Sequence, residues 1–260
     1  MLLGWVIPSL NRFGPWKRFF DNQAEIDKLL YAEISQRRLA PDLHECTDVL
    51  SRLLHDGSET GDAPLTDSEL RDQLVTLLLA GHETTAAALA WTLYELANHP
   101  DLQDMAYVAA RDNDDKFLEA ALKESMRLHP VIAAAARKLT RDQVIGGWHL
   151  PAGIVVTTSI LLAHQRADNY PDTWTYRPSR FLENEVEPNT WLPFGGGVRR
   201  CIGAGFSIME GTAVLREILT RYVLAAGDKL ERGRVRNITN VPRGRARIAI
   251  TPRIRISTHI

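Results

Sequence analysis

The chain has 260 residues, of which 45% are hydrophobic and 24% charged, so it is long enough to bury a sizeable core. Its net charge of −1 and isoelectric point near 6.7 give no overall attraction to nucleic acid or to an anionic membrane. Only two cysteines are present, Cys46 and Cys201, which excludes a disulfide framework and a metal cluster built by cysteines alone.

The amino-terminal part predicts helices and no membrane segment. The opening MLLGWVIPSL is apolar but is interrupted by Gly4 and Pro8, and it has half of the roughly 20 residues that a span needs. It also lacks a basic leader, so we expect neither a signal peptide nor an anchor. The low cysteine content is typical of a protein in the reducing cytoplasm, which is the location we expect. Apolar residues at helical spacing predict helices over residues 22–39 and 44–55, and the composition of DGSETGDAPLT, residues 56–66, predicts a loop.

A long helix follows this loop. Thr66 and Glu69 have the spacing of a capping box, and the helical pattern then continues until Pro100. A second helix is predicted over residues 115–128. Residues 137–162 contain β-branched runs around Gly146 and Gly147 and predict a hairpin.

Residues 202–222 return to a helical pattern, and residues 234–256 alternate enough to predict strands. The sequence therefore predicts a mainly α fold with small β-sheets, in the α+β class.

The long helix contains AGHETT, residues 80–85, in its interior. Gly81 lowers the stability of the helix by about 1 kcal/mol relative to alanine, so its presence in the interior needs a packing or functional reason. One interpretation is close helix packing over the glycine. A zinc-protease motif is excluded because position 86, four residues after His82, is alanine. A functional site remains, in which Glu83 and Thr84 handle protons or hold a small ligand.

Glu124 and Arg127 form a second candidate. Such pairs are usually solvated and contribute a few tenths of a kcal/mol. Here Glu124 shares a helical stripe with Phe117 and Leu128, so its carboxylate is predicted to lie on the apolar face. A buried carboxylate needs its arginine and a further donor, for which Arg180 is a candidate.

The third candidate is PFGGGVRRCIGAG, residues 193–205, where Cys201 lies among glycines just before a predicted helix. The helix start and the neighbouring arginines favour a thiolate. A phosphate loop is disfavoured because no Gly-Lys-Ser/Thr ending follows. A cysteine hydrolase needs a histidine partner, which the sequence does not identify. A metal or cofactor held by one thiolate needs only Cys201.

Together these motifs resemble the cytochrome P450 superfamily of haem-thiolate monooxygenases. FGGGVRRCIG fills every fixed position of that family's Phe-x-x-Gly-x-Arg-x-Cys-x-Gly signature, and this motif is highly specific. AGHETT is similar to the family's oxygen-activating motif, Glu124 and Arg127 match its Glu-x-x-Arg pair, and RPSRF matches the segment that supplies Arg180.

The resemblance implies haem b as cofactor and a role for each matching residue. Cys201 would be the axial iron ligand, and Phe194 would shield its thiolate. Gly197 and Gly203 of the signature would also belong to the haem-binding residues and leave clearance for the porphyrin. Arg199 and Arg137 would pair with the haem propionates. Glu83 and Thr84 would relay protons on the oxygen side, and Glu124, Arg127 and Arg180 would form a buried charge network.

The family's activity is the insertion of one oxygen atom of O2 into an organic substrate. The resemblance therefore implies two electrons from a donor such as ferredoxin with its reductase, and a small hydrophobic substrate. Neither nucleic acid nor a membrane anchor is expected.

Family members are usually longer, and the motifs place this chain's start in the middle of the fold. We therefore expect residues 1–260 to be the carboxy-terminal, haem-binding portion of a bacterial soluble type of the fold, incomplete at the amino terminus. A non-catalytic fragment or haem-binding remnant is the alternative function, and a cysteine hydrolase is a remote one.

Overall fold

The structure is a computed structural model that describes residues 14–59, 63–183, 186–187 and 189–253. It is 53% helical and 15% strand, which confirms the mainly α fold with small sheets. The chain divides into two compact units, residues 1–80 and 81–260. The apolar opening at residues 1–10 lies outside the described residues, as do residues 254–256 of the predicted strand region.

The first unit contains helix α1 (Gly14–Arg38), a short 3-10 turn (Leu43–Glu45), helix α2 (Val49–Glu59) and the start of helix α3 (Asp67–Asn98). Its core consists of Ile34, Leu50 and Leu70, one from each helix. Salt bridges join Arg71 to Asp27 and Arg38 to Asp67. These contacts hold the helices of this unit together around a small apolar centre.

Two sequence predictions in this unit were wrong at their boundaries. A single helix over 44–55 was predicted, but α2 begins at Val49, because Asp48 Oδ1 accepts a hydrogen bond from the Ser51 amide at 3.1 Å and caps the helix. The predicted loop over 56–66 begins later, because the helix continues to Glu59. A single glycine such as Gly57 lowers helix stability by only about 1 kcal/mol, which is too little to end α2.

Helix α3 is capped as predicted. Thr66 Oγ1 accepts from the Glu69 amide at 3.3 Å, and the Glu69 carboxylate accepts from the Thr66 amide at 2.8 Å. The Thr66 amide and the Thr66 hydroxyl both donate to the Glu69 carboxylate, and these two bonds lower the pKa of Glu69. Two otherwise unpaired backbone donors are thereby satisfied at the helix start.

Loss of this cap should be measurable. Thr66→Ala is expected to lower the free energy of unfolding by about 1 kcal/mol, measured by urea denaturation. Thr76→Ala is the control, since Thr76 is exposed in the same helix and only donates to the Asp72 carbonyl one turn earlier. Equal stability of the Thr66 variant and the wild type would contradict the role of the cap.

Within the described residues, helix α3 is also the one helix long and apolar enough to cross a membrane by length and composition. Its last three turns, which include Ala88, Trp91 and Leu96, are buried in the second unit. A core helix passes the same test of length and composition.

The core of the second unit joins the end of α3 to three further helices. These are α4 (Pro100–Arg111), α5 (Asp115–Leu128) and α7 (Ala204–Arg221), while α6 (Ile160–His164) is one short turn. Leu96, Leu122 and Leu215 are fully buried at their common centre. Helix α4 was not predicted: Pro100 ends α3 but also begins α4, where its missing N–H costs nothing.

Four antiparallel two-stranded sheets, counted over the described residues, complete this unit. Strands β1 (Ala134–Lys138) and β4 (Val155–Ser159) pair, and they enclose the hairpin of β2 (Gln143–Ile145) and β3 (Trp148–Leu150). Gly146 and Gly147 form its two-residue turn with φ of +59° and +83°, as a hairpin turn of this type requires.

The remaining strands follow helix α7. Strand β5 (Tyr222–Ala226) pairs with β8 (Ile248–Pro252), and β6 (Gly233–Arg236) pairs with β7 (Thr239–Pro242). The strands predicted over 234–256 are thus β6, β7 and β8 within the described residues, whereas β5 was not predicted.

Candidate haem site

The loop before α7 turns sharply around Cys201. The Cys201 amide donates to the Phe194 carbonyl at 2.9 Å, which closes the loop, and a 3-10 turn (Gly197–Arg199) lies within it. Gly195 and Gly197 have φ of +68° and +67°, a conformation that side chains disfavour. The glycines therefore allow the backbone to form this turn.

Cys201 is exposed and lies three residues before the start of α7 at Ala204. The unpaired amides of a helix start carry partial positive charge. Two apolar side chains beside it are almost fully exposed, Val198 at 102% and Ile202 at 94%. An apolar surface around a thiol suits a bulky apolar partner.

Trp191 and Leu192, which precede the loop, form hydrogen bonds with two neighbouring helices. Trp191 Nε1 donates to the Lys123 carbonyl of α5 at 3.1 Å, and the ring of Trp191 packs edge-on against Phe194 with 5.7 Å between centroids. The Leu192 amide donates to His164 Nε2, the last residue of α6, at 2.7 Å. The segment before Cys201 is therefore bonded to core helix α5 and to the short helix α6.

Beneath this segment lies a fully buried charge cluster. Glu124 accepts from Arg127 through both oxygens, at 2.7 and 2.9 Å, and from Arg180 Nε at 3.2 Å. Glu124 and Arg127 are 0% exposed, and Arg180 is 1% exposed. The structure thus brings together the three residues that the sequence suggested as a network.

Backbone groups complete the cluster. Arg127 donates to the carbonyls of His164 and Thr175, Arg180 donates to the Asp172 carbonyl, and the Arg177 amide donates to Glu124. One carboxylate faces two guanidinium groups, so the cluster carries a net positive charge. The three carbonyl oxygens accept further hydrogen bonds from the two arginines, which offsets part of the cost of burying their charge.

Burial also shifts nearby pKa values. Desolvation, aided by the positive charge of Arg127, lowers the pKa of His164 to about 4, so its ring is neutral at pH 7. Burial raises the pKa of Tyr176 well above its usual value, and the Tyr176 hydroxyl donates to the Ala121 carbonyl. Both groups are therefore uncharged hydrogen-bonding partners.

The AGHETT residues of the second unit lie close to α7. The Thr85 hydroxyl donates to Ser207 Oγ of α7 at 3.2 Å. Glu83 and Thr84 are half-buried, and Glu83 Oε1 lies 3.6 Å from Arg236 Nε of strand β6. An added Cβ at Gly81 would meet no atom within 4 Å among the described residues, which disfavours close packing as the reason for that glycine.

Arg137 and Arg199 are not joined to the other candidate residues by an ion pair in the described part of the chain. Arg137 is exposed on β1 and donates to the neighbouring Ala136 carbonyl, and Arg199 is exposed in the 3-10 turn. Both guanidinium groups remain accessible to an anionic ligand group.

Comparison with known proteins identifies the family. The model of the family "Cytochrome P450" matches residues 5–237 of the chain. The chain belongs to the cytochrome P450 family. Among its relatives, "Putative cytochrome P450 135A1" of Mycobacterium tuberculosis is 57% identical over 258 residues, which are 98% of this chain and 57% of that protein. "Putative cytochrome P450 135B1" of Mycobacterium bovis is 42% identical over 94% of this chain and 53% of that protein.

Solved cytochrome P450 structures share the fold. The cytochrome P450DA heme domain superposes with a TM-score of 0.81 at 25% identity, over 91% of this chain and 56% of that one. A cytochrome P450 designated CYP102L1 gives 0.84 at 25% identity, over 95% and 60%. The chain thus spans about half the length of the curated relatives it matches.

Cytochrome P450 proteins bind haem b. The residues present here fit such a group, because the loop offers a thiol ligand, exposed apolar side chains and accessible guanidinium groups in the exposed residues Val198 to Ile202. The sequence analysis named Cys201 and the three residues that the structure brings together in the charge cluster, but it did not single out His164, which accepts the Leu192 amide. The sequence has eight histidines, and no spacing motif distinguishes this one.

Proposed function

We propose that the chain is the haem-binding portion of a haem-thiolate monooxygenase, with Cys201 as the axial iron ligand. The observation that carries the proposal is the exposed thiol on a glycine-formed loop at the start of α7, surrounded by uncovered apolar side chains. When bound, haem b supplies the oxygen-binding and redox chemistry.

The chain's own residues position and shield this group. Phe194, whose carbonyl closes the loop and whose ring packs against Trp191, would shield the thiolate once haem is bound, while Gly197 and Gly203 leave clearance around it. Arg199 and Arg137 provide guanidinium groups for the propionates. Glu124, Arg127 and Arg180 support the segment that precedes the loop.

Glu83 and Thr84 are proposed to hold and move protons at their carboxylate and hydroxyl oxygens. Their position in the interior of α3, within a turn of the Thr85 contact to α7, places them on the helix that is joined to the helix after Cys201. This role is separable from haem binding, which gives a test of catalysis itself.

The proposed partners follow from the reaction. Two electrons are expected from a donor such as ferredoxin with its reductase, and the substrate is expected to be a small hydrophobic molecule. We also propose a cytoplasmic location, where Cys46 and Cys201, both free, stay reduced.

Thr84→Ala should separate electron use from product formation. With haem, ferredoxin, its reductase and a hydrophobic substrate, we expect the ratio of product formed to electrons consumed to fall roughly 10-fold or more, because a positioned proton donor is lost. Haem content should not change. The measurement compares the amount of product formed with the number of electrons drawn from the reductase and ferredoxin.

Thr92→Ala is the matched control, since Thr92 lies in the same helix but is buried and donates to the Ala88 carbonyl. Unchanged coupling in Thr84→Ala would remove Thr84 from proton transfer. Thiolate-ligated haem with no turnover in the wild type would instead support the alternative function, a non-catalytic haem-binding module.

A further inference from the structure

His164 occupies an unusual place for a titratable residue. It is 0% exposed, and its Nε2 accepts the Leu192 amide at 2.7 Å. Because Nε2 is the acceptor, the ring proton lies on Nδ1. That atom is buried and has no hydrogen-bond partner among the described residues. The unpaired donor is costly, so an apolar residue would fit better unless the Nε2 acceptor is needed.

The same residue joins the charge cluster to the loop before α7. Its backbone carbonyl accepts from Arg127 Nη1 at 3.1 Å and from Thr173 Oγ1 at 3.2 Å. Its side chain accepts from Leu192. The backbone of His164 is thus fixed by the buried arginine, while the ring projects from that fixed point to the loop.

Two further backbone hydrogen bonds lie between this contact and the backbone of Cys201. The Leu192 carbonyl accepts from the Gly195 amide at 2.9 Å, and the Phe194 carbonyl accepts from the Cys201 amide at 2.9 Å. The position of the Leu192 peptide therefore determines where the loop begins, and the closed loop determines where Cys201 lies.

We propose that His164 is a positioning residue for the Cys201 thiolate, acting through its Nε2 hydrogen bond to the Leu192 amide. The inference rests on the proposed function, because the position of Cys201 matters for activity only if Cys201 is the iron ligand. It also makes a claim about the loop that holds without haem. The two parts can therefore be tested separately.

The first test uses the full chain without haem. In His164→Leu, amide hydrogen exchange at Leu192 should be roughly 5- to 100-fold faster than in the wild type, because a buried donor loses its partner. His164→Gln should restore slow exchange, since its side-chain oxygen can accept the same bond. The substitutions leave the backbone carbonyl that Arg127 uses, so the charge cluster is retained.

The second test uses the chain reconstituted with haem, reduced and exposed to carbon monoxide. The red-shifted Soret band that marks thiolate ligation should decrease severalfold per bound haem in His164→Leu and recover in His164→Gln. A destabilised fold alone would not produce this pattern. If His164→Leu does not fold, the comparison is made with His164→Asn, whose shorter side chain cannot reach the Leu192 amide.

Gln103→Leu is the matched control. Gln103 is 2% exposed, and its Oε1 accepts from the Leu224 amide at 2.8 Å, so this variant also strands a buried backbone donor, but on strand β5. It should speed exchange at Leu224 and leave the thiolate fraction at the wild-type level. An equal loss of the band in this control would overturn the proposal.

Unchanged exchange at Leu192 together with an unchanged band in the His164 variants would also overturn the inference. Failure of the proposed function looks different. The wild type would then show no thiolate band at all, while the exchange comparison at Leu192 would still decide whether His164 fixes the loop.

Discussion

Glu124→Gln should lower the free energy of unfolding of the second unit by about 3–5 kcal/mol. Glutamine keeps the shape of the side chain but removes its charge, so Arg127 and Arg180 remain buried without a counter-ion. Both are almost fully excluded from water. The cost is the uncompensated charge of the two guanidinium groups, which greatly exceeds the loss of a neutral hydrogen bond.

The loss is measured by urea denaturation followed by circular dichroism. Glu119→Gln is the matched control on the same helix, because Glu119 forms a salt bridge with Lys123 at 2.5 Å while 39% exposed. Exposed pairs contribute about 0–1 kcal/mol, so this variant should remain near the wild type. A Glu124 variant that loses less than about 1 kcal/mol would contradict the burial of the cluster.

This cluster shows what periodicity can predict. The stripe of Phe117, Glu124 and Leu128 placed a carboxylate on the apolar face, and the helix has the predicted bounds, Asp115–Leu128. A pattern of this kind determines which face is buried, because a helix repeats every 3.6 residues. The same pattern could not predict the carbonyls of Asp172 and Thr175, since they lie far along the chain.

Boundaries and long-range contacts were less predictable. Pro100 marked the end of α3, but the sequence did not show that it also begins α4. His164 was missed because its role depends on Leu192, which is 28 residues away, and no local motif links the two. The prediction of a hairpin around Gly146 and Gly147 was confirmed, because the positive φ that such a turn requires depends only on the local residues.

Cys201→Ser should abolish thiolate ligation of haem. A serine hydroxyl occupies nearly the same volume as the thiol but does not ionise near neutral pH, so it cannot supply the same anionic sulfur ligand. The loop should keep its shape, because the Cys201 amide and the two positive-φ glycines are unaffected. The expected effect is therefore on ligation, with little change in stability.

Cys46 provides the control within the same chain. It is the other free cysteine, it lies in the first unit after the 3-10 turn, and it is only partly exposed. Cys46→Ser removes a thiol without touching the loop before α7. Any effect of general thiol loss on haem uptake should appear in both variants, whereas axial ligation should depend on Cys201 alone.

The most direct measurement is the absorption spectrum of the reduced carbon monoxide complex after reconstitution with equimolar haem b. We expect the red-shifted Soret band of thiolate-ligated haem in the wild type and in Cys46→Ser, and its absence in Cys201→Ser. Retention of that band in Cys201→Ser, or a wild type that binds haem without it, would contradict the assignment of Cys201 as the axial ligand.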